Sequence, residues 1–159
     1  MSAEEILAMP VGSISSDRSH LYLWTTASHR ELAQECVRRW GFEYKHDFVW
    51  VKTAEKPRKR PPFWPDWLWT LKVAPKIGGG HWGRHAHESC LFAVRNGAPR
   101  NRGAGNIPTW FAAPPARHSE KPATIYSIAE RMSPGPRIDI FARTRREGWA
   151  VFGNEVEAA

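Results

Sequence analysis

An α/β fold is the expectation from this sequence, and three observations carry it. Strand-like stretches alternate with stretches of helical periodicity, the strand-like stretches are continuously apolar, and turn residues stand at the boundaries. The 159 residues read as a single domain, long enough to bury a substantial core. Ser2-Ala3-Glu4-Glu5 is a capping box: Ser2 accepts from the backbone of Glu5 while Glu5 reaches back. A short helix therefore runs to about Met9, where Pro10 closes it. From His20 to Thr25 the run Leu21-Tyr22-Leu23-Trp24 predicts a strand covered on both faces. Ser28-His29-Arg30-Glu31 reads as a second capping box, opening a helix with Leu32, Cys36, Val37 and Trp40 on its apolar stripe and Gly41 as its stop. A further strand spans about Phe42 to Lys52, through Phe48-Val49-Trp50-Val51. This β, α, β order calls for a parallel or mixed sheet with helices packed on it.

Composition changes after Lys52. Residues 53–80 hold Lys56-Pro57-Arg58-Lys59-Arg60-Pro61-Pro62, then Phe63-Trp64-Pro65-Asp66-Trp67, then Gly78-Gly79-Gly80. Prolines interleaved with cations and aromatics do not form a regular strand, so the stretch is read as a long surface excursion. Two readings stay open for it. It is either a nucleic-acid-gripping arm, with Arg58, Lys59 and Arg60 on phosphates and Trp64 or Trp67 against bases or a partner, or a loop whose tryptophans fold back on the domain. The sheet resumes at Ser89-Cys90-Leu91-Phe92-Ala93-Val94 and stops at Asn96-Gly97, and residues 99–115 read as irregular. His81, His85, His87 and Cys90 are zinc-type donors, but their spacing fits no closed zinc module, so no metal is expected.

The last quarter holds the most informative stretch. Pro122 suits a first helical turn, and Ile125, Ile128, Ala129 and Met132 recur at helical spacing. Pro134-Gly135-Pro136 ends that helix, and Ile138, Ile140 and Phe141 form an apolar run of the kind a buried parallel strand shows. Ligands of open α/β sheets sit at the carboxyl ends of strands, so Arg143, Thr144, Arg145 and Arg146 lie where a small polar ligand is expected; a solvated basic loop is the other reading.

The formal charge of +7 favours an anionic partner, nucleic acid first, because Lys and Arg displace counterions from phosphates. Nine tryptophans supply core and leave some for stacking on bases. Cys36 and Cys90 both lie in apolar patterns, which predicts buried thiols in a reducing compartment. No apolar run approaches the roughly 20 residues that span a bilayer, and no signal-peptide pattern opens the chain. A cytosolic protein is expected.

Several signatures then match one family. His81-Trp82, His87-Glu88-Ser89-Cys90-Leu91, His118-Ser119-Glu120-Lys121-Pro122, Tyr126, Glu130-Arg131-Met132-Ser133-Pro134-Gly135, Phe141-Ala142-Arg143, Trp149 and Gly153-Asn154 stand in one order. Together they resemble the adenine-N6 methyltransferases typified by the catalytic subunit of the messenger-RNA adenosine methyltransferase. The likeness covers nearly the whole chain and loosens only over 53–80 and 99–106. It implies a Rossmann-like methyltransferase fold, S-adenosylmethionine as cofactor, and methylation of the exocyclic amine of adenine in DNA or RNA. It also implies roles. Lys121 matches a lysine closing over the methionine part of the cofactor, Arg143 an arginine near the ribose, and Asn154 an asparagine on the adenine and ribose side. Glu155 stands where relatives often have Gln, and Arg145 or Arg146 where some carry His or Asn. Glu88 matches an acidic residue beside the substrate, with His81 and Trp82 in the loop before it.

The family's defining Asp-Pro-Pro-Trp does not occur in these residues. An adenine amine is a poor nucleophile, because its lone pair is delocalised into the ring. A carboxylate and a carbonyl must accept its N–H groups while an aromatic residue stacks on the base. In relatives that motif lies upstream of the segment resembling Met1 to Val11. Arg60-Pro61-Pro62-Phe63 is no substitute, having Arg where the carboxylate must be. The expectation is a methyltransferase fold lacking one N-terminal central strand, inactive alone, with two unpaired strand edges that favour pairing with another chain as a homo- or hetero-oligomer. A wrongly placed start is the favoured explanation. A degenerate, non-catalytic nucleic-acid-binding or partner subunit is the alternative, and a basic module unrelated to methyl transfer is the third.

Overall fold

The computed structural model describes residues 1–53, 76, 82–102, 104–116, 120–153 and 156. Its first helix, α1 (Ala3–Leu7), carries the expected capping box, with Glu5 N–H donating to Ser2 Oγ at 3.2 Å and Ser2 N–H donating to Glu5 Oε2 at 2.5 Å. The chain turns through Pro10 into a second short helix, α2 (Val11–Ile14), which periodicity over so few residues could not announce. Strand β1 (Ser19–Thr25) leads through a 3₁₀ turn at Ala27–His29 into α3 (Arg30–Arg39). The second capping box does not form. Ser28 lies inside the 3₁₀ turn and bonds Thr26 Oγ1 and His29 Nδ1 instead of the helix amides, so α3 starts without a side-chain cap. Its first turn is anchored by Arg30, whose two guanidinium nitrogens engage the Asp47 carboxylate.

Strands β2 (Glu43–Lys52), β3 (His87–Arg95) and β4 (Trp110–Ala113) complete a four-stranded sheet in the order β1-β3-β2-β4. The sheet is mixed: β3 runs antiparallel to both β1 and β2, whereas β4 lies parallel to β2. β4 falls within the stretch read as irregular. It is only four residues long, and its prolines and glycines lie outside it, so sequence pattern alone was too weak to mark it. Each face of the sheet has its own core. On one side Leu91 and Ala93 pack with Val11, Cys36, Val37, Trp40 and Phe42, beneath α1, α2 and α3. On the other Phe48, Cys90, Phe92 and Val94 pack with Ile125, Ile128 and Met132 of α4 (Ala123–Met132). Both cysteines are buried, one on each side, and burial pushes both thiols up.

α4 begins beside Pro122 and buries Ile125, Ile128, Ala129 and Met132, the stripe expected from its spacing. Two more strands follow, β5 (Ile138–Ile140) and β6 (Ala150–Phe152), which pair parallel in a separate ribbon. The expectation of a buried strand here is corrected: Ile138 and Phe141 are exposed, as is Phe152 at 67%. Asp139 faces Tyr126 on α4, and on the opposite face of the ribbon Ile140 packs toward the α1–α3 core while Ile138 and Phe152 stay exposed. No helix among the described residues is long and apolar enough to cross a membrane.

The Gly153 position explains part of the motif around it. A Cβ there would collide with the Ala142 carbonyl oxygen and amide nitrogen, so only glycine lets the chain after β6 close on the turn that ends β5. Gly153→Ala is expected to destabilise the chain by about 1–3 kcal/mol, as overpacking does. It should also accelerate hydrogen exchange of the Ala142 amide, which donates to Phe152 O at 3.1 Å; an unchanged exchange rate would contradict this account.

Candidate active site

β1, β2 and β4 all run one way and β3 the other, so three carboxyl ends and the start of β3 meet at one edge of the sheet. That edge is where α/β sheets accept ligands, because loops leave the strands there and diverge. Register then selects the side chains. Trp50 stands opposite Glu88 and Trp24 opposite Cys90, and alternation puts Trp24, Trp50, Lys52 and Glu88 on the α4 side.

Glu88 is the centre of this group. Its side chain is only 14% exposed, and each carboxylate oxygen takes one ammonium: Lys52 Nζ donates to Oε1 at 2.6 Å and Lys121 Nζ to Oε2 at 2.7 Å. Lys52 comes from the end of β2 and Lys121 from the segment entering α4. Each lysine also lies over an indole, Lys52 5.2 Å from the Trp50 ring centre and Lys121 5.4 Å from that of Trp24. The two indoles meet edge to face at 6.1 Å, and Trp50 Nε1–H donates to Ala113 O at 2.9 Å, which fixes its ring. Burial pushes the Glu88 carboxyl up, but hydrogen bonds and charge from Lys121 and Lys52 outweigh it, and the net shift is downward. Two ammonium groups against one carboxylate leave one surplus positive charge, suited to an incoming carboxylate.

A second polar group lies between α4 and the ribbon. Tyr126 O–H donates to Asp139 Oδ2 at 2.8 Å, Arg146 stacks 4.1 Å from the centre of the Tyr126 ring, and Trp149 meets that ring edge to face. Trp149 Nε1–H donates to Glu130 Oε1 at 2.8 Å. Burial raises the Asp139 carboxyl despite the Tyr126 hydrogen bond and the Arg146 charge, and burial likewise raises the Tyr126 hydroxyl.

Of the residues singled out from sequence, Lys121 and Glu88 come into direct contact. Arg143 belongs to the loop that leaves β5 on the ribbon. Trp82 precedes β3 and is 98% exposed. Arg58, Lys59, Arg60, His81, Asn154 and Glu155 lie outside the described residues. Sequence reasoning missed Lys52, Trp24 and Trp50 as members of the site. The signal was present in the alternation Trp50, Lys52 at the carboxyl end of a strand, but without the sheet order nothing showed that Glu88 would stand opposite.

The whole arrangement can be set against known proteins. The MT-A70 family profile matches residues 1–155. The chain belongs to the MT-A70 family. It is 31% identical over 160 residues to a Drosophila melanogaster protein named N(6)-adenosine-methyltransferase MT-A70-like, covering 99% of this chain and 24% of that protein. It is 31% identical over 147 residues to the human N(6)-adenosine-methyltransferase catalytic subunit METTL3, covering 91% of this chain and 23% of that one. A Type II methyltransferase of a Mycoplasma species, M.MunI, is 28% identical over 158 residues, covering 98% of this chain and 58% of its own. The chain thus spans about a quarter of the length of the first two relatives. At family level the association is with S-adenosylmethionine-dependent adenine-N6 methyltransferases of nucleic acids.

The downward shift at Glu88 has a pH consequence. Because the folded value lies below the unfolded one, its ion pairs contribute fully above the ordinary glutamate pKa of about 4.3 and are lost as pH falls through the lower, folded value. Glu88→Gln should therefore lower stability most at neutral pH, with the two proteins converging at the acid end of a series of urea titrations. A gap that stays constant with pH would show that the carboxylate charge is not what holds the lysines.

Proposed function

We propose that this chain carries the cofactor-binding part of an S-adenosylmethionine-dependent adenine-N6 methyltransferase acting on DNA or RNA. The observation that supports it most is the Glu88 carboxylate holding Lys52 and Lys121 at the carboxyl edge of the sheet. The donor set fits the methionine end of the cofactor: an ammonium already held by a hydrogen bond, over an indole, in a cluster with one positive charge in excess. When bound, S-adenosylmethionine supplies an electrophilic methyl group on its sulfonium. Lys121 then orients the cofactor's carboxylate, and Arg143, Asn154 and Glu155 serve its ribose and adenine. Glu88 stands on the substrate side with His81 and Trp82, and Arg58, Lys59 and Arg60 engage nucleic-acid phosphates. In this reading the 159 residues make one methyltransferase-like domain; the basic stretch expected as an excursion at 53–80 lies, but for Thr53 and Lys76, outside the described residues.

In this reading the chain is inactive by itself, since no Asp-Pro-Pro-Trp is present in it to localise the lone pair of the acceptor amine. The strand edges support that view. β1 pairs with β3 on one side and β5 with β6 on one side; their other edges have no backbone partner among the described residues. Yet Ser133, just before β5, bonds to His20 and Tyr22 of β1, and Ile140 packs into the same cluster as Leu21 and Leu23. Edges without a backbone partner are places where a further strand can pair. In this reading a central strand bearing the missing motif pairs there. The alternative, a non-catalytic nucleic-acid-binding or partner subunit, rests on the same absence of Asp-Pro-Pro-Trp.

Calorimetry with S-adenosylmethionine tests the cofactor half: the chain should bind, and Lys121→Ala should weaken binding by about tenfold or more, the loss of a charged hydrogen bond. Methylation of an adenine oligonucleotide should be undetectable with the chain alone and appear when the coding sequence is extended by an Asp-Pro-Pro-Trp strand. Activity of the unextended chain would refute the inactivity, and absence of binding would refute the cofactor site.

A further inference from the structure

α4 is tied to β1 at both of its ends. His20, Tyr22 and Trp24 alternate along one face of β1, the face on which α4 packs. At the carboxyl end of α4, Ser133 Oγ lies 2.7 Å from His20 Nδ1 and 2.8 Å from the Tyr22 hydroxyl. At its amino end, the Lys121 ammonium lies over the Trp24 indole. The lengths agree. From His20 to Trp24 a strand rises about 13 Å, and the ten residues of α4 rise about 15 Å.

The bonds at Ser133 form a directed chain. His20 Nε2 is 3.1 Å from the Ala98 carbonyl, which can only accept, so in the neutral ring Nε2 carries the proton and Nδ1 accepts. Ser133 O–H then donates to His20 Nδ1, and Tyr22 O–H donates to Ser133 Oγ. Burial pushes the Tyr22 hydroxyl up to about 12, so it remains a donor at neutral pH. Ser133 is buried, its N–H donates to Ala129 O at 2.8 Å, and its own carbonyl accepts from Arg137 Nη2 at 2.8 Å. One residue thereby joins α4, β1 and, through His20, the chain after β3.

We infer that β1 acts as a ruler for Lys121: the Tyr22–Ser133–His20 hydrogen-bond chain at one end of α4 sets where the Lys121 ammonium lies at the other. Ser133, Tyr22 and His20 are then positioning residues for the Glu88 site, remote from it by the length of a helix. Lys52 needs no such device, because it is part of β2 itself and its backbone N–H donates to Ala86 O at 2.8 Å. The functional weight of the ruler rests on the proposal that Lys121 orients the cofactor.

The test uses the full chain with ¹³C-labelled lysine. The ring current of Trp24 displaces the Lys121 Cε–Hε signal from its free position, and that of Trp50 does the same for Lys52; Lys121→Arg and Lys52→Arg spectra assign the two. Tyr22→Phe, which removes only a hydroxyl, and Ser133→Ala should both move the Lys121 signal toward the free position and leave that of Lys52 in place. Ser133→Thr, which keeps the hydroxyl, should hold the Lys121 signal. Cofactor binding should weaken in the first two variants by about three- to tenfold, the range expected for one lost hydrogen bond. An unchanged Lys121 signal in folded Tyr22→Phe overturns the ruler, as does an equal shift at both lysines. A selective Lys121 shift with no dependence of cofactor binding on Lys121 supports the ruler and instead refutes the cofactor reading.

Discussion

Everything in this fold leans on β3. Cys90, Leu91, Phe92 and Ala93 are buried in succession, two toward each face, so the strand is at once the floor of both cores and the hydrogen-bonding partner of β1 and β2. A strand buried on both faces tolerates few polar residues, and β3 has its acid at the first turn of the pattern, where the sheet opens to the loops. Glu88 is thus held in register opposite Trp50 of β2, one residue beyond the last pair with β1, and stands at the edge where ligands enter. Its position is a by-product of the same pairing that builds the core.

Two part-buried carboxylates show how surroundings decide charge. Glu88 and Asp139 both lose hydration, which by itself raises a carboxyl. Glu88 receives an ammonium on each oxygen and ends below its ordinary value; Asp139 receives a phenol and a more distant guanidinium and ends above it. The first stays a firm anion that organises cations. The second is a weaker acid set beside aromatic rings, where Tyr126 and Trp149 meet edge to face with Arg146 over the first ring and Arg137 over the second.

The ribbon of β5 and β6 is only partly covered. One of its faces is held by α4 and the other exposes Ile138 and Phe152, while one edge of β1 and one of β5 have no backbone partner among the described residues. Unpaired edges and bare apolar faces are unfavourable in an isolated chain, because both invite pairing with other strands. Polar contacts tie this part of the chain down: Ser133 to β1, and Asp139 and Trp149 to Tyr126 and Glu130 of α4.

Local pattern alone determined much of this protein. The capping box at Ser2, the stripe Ile125, Ile128, Ala129, Met132, and the apolar runs of β1, β2 and β3 follow from periodicity and side-chain chemistry, which neighbours in sequence suffice to specify. The family was legible too, because Lys121-Pro122, Ser133-Pro134-Gly135 and Phe141-Ala142-Arg143 keep a fixed order. What sequence could not decide were relations across the sheet. That β3 would run antiparallel between β1 and β2, that Trp110–Ala113 would pair with β2, and that Ile138 would remain exposed all depend on which elements lie beside which. Strand order is set by packing between residues far apart in the chain, and a local window carries no record of it. For the same reason Glu88 and Lys121 could be named from their motifs, but Lys52 and the two tryptophans joined them only once the strands were in register.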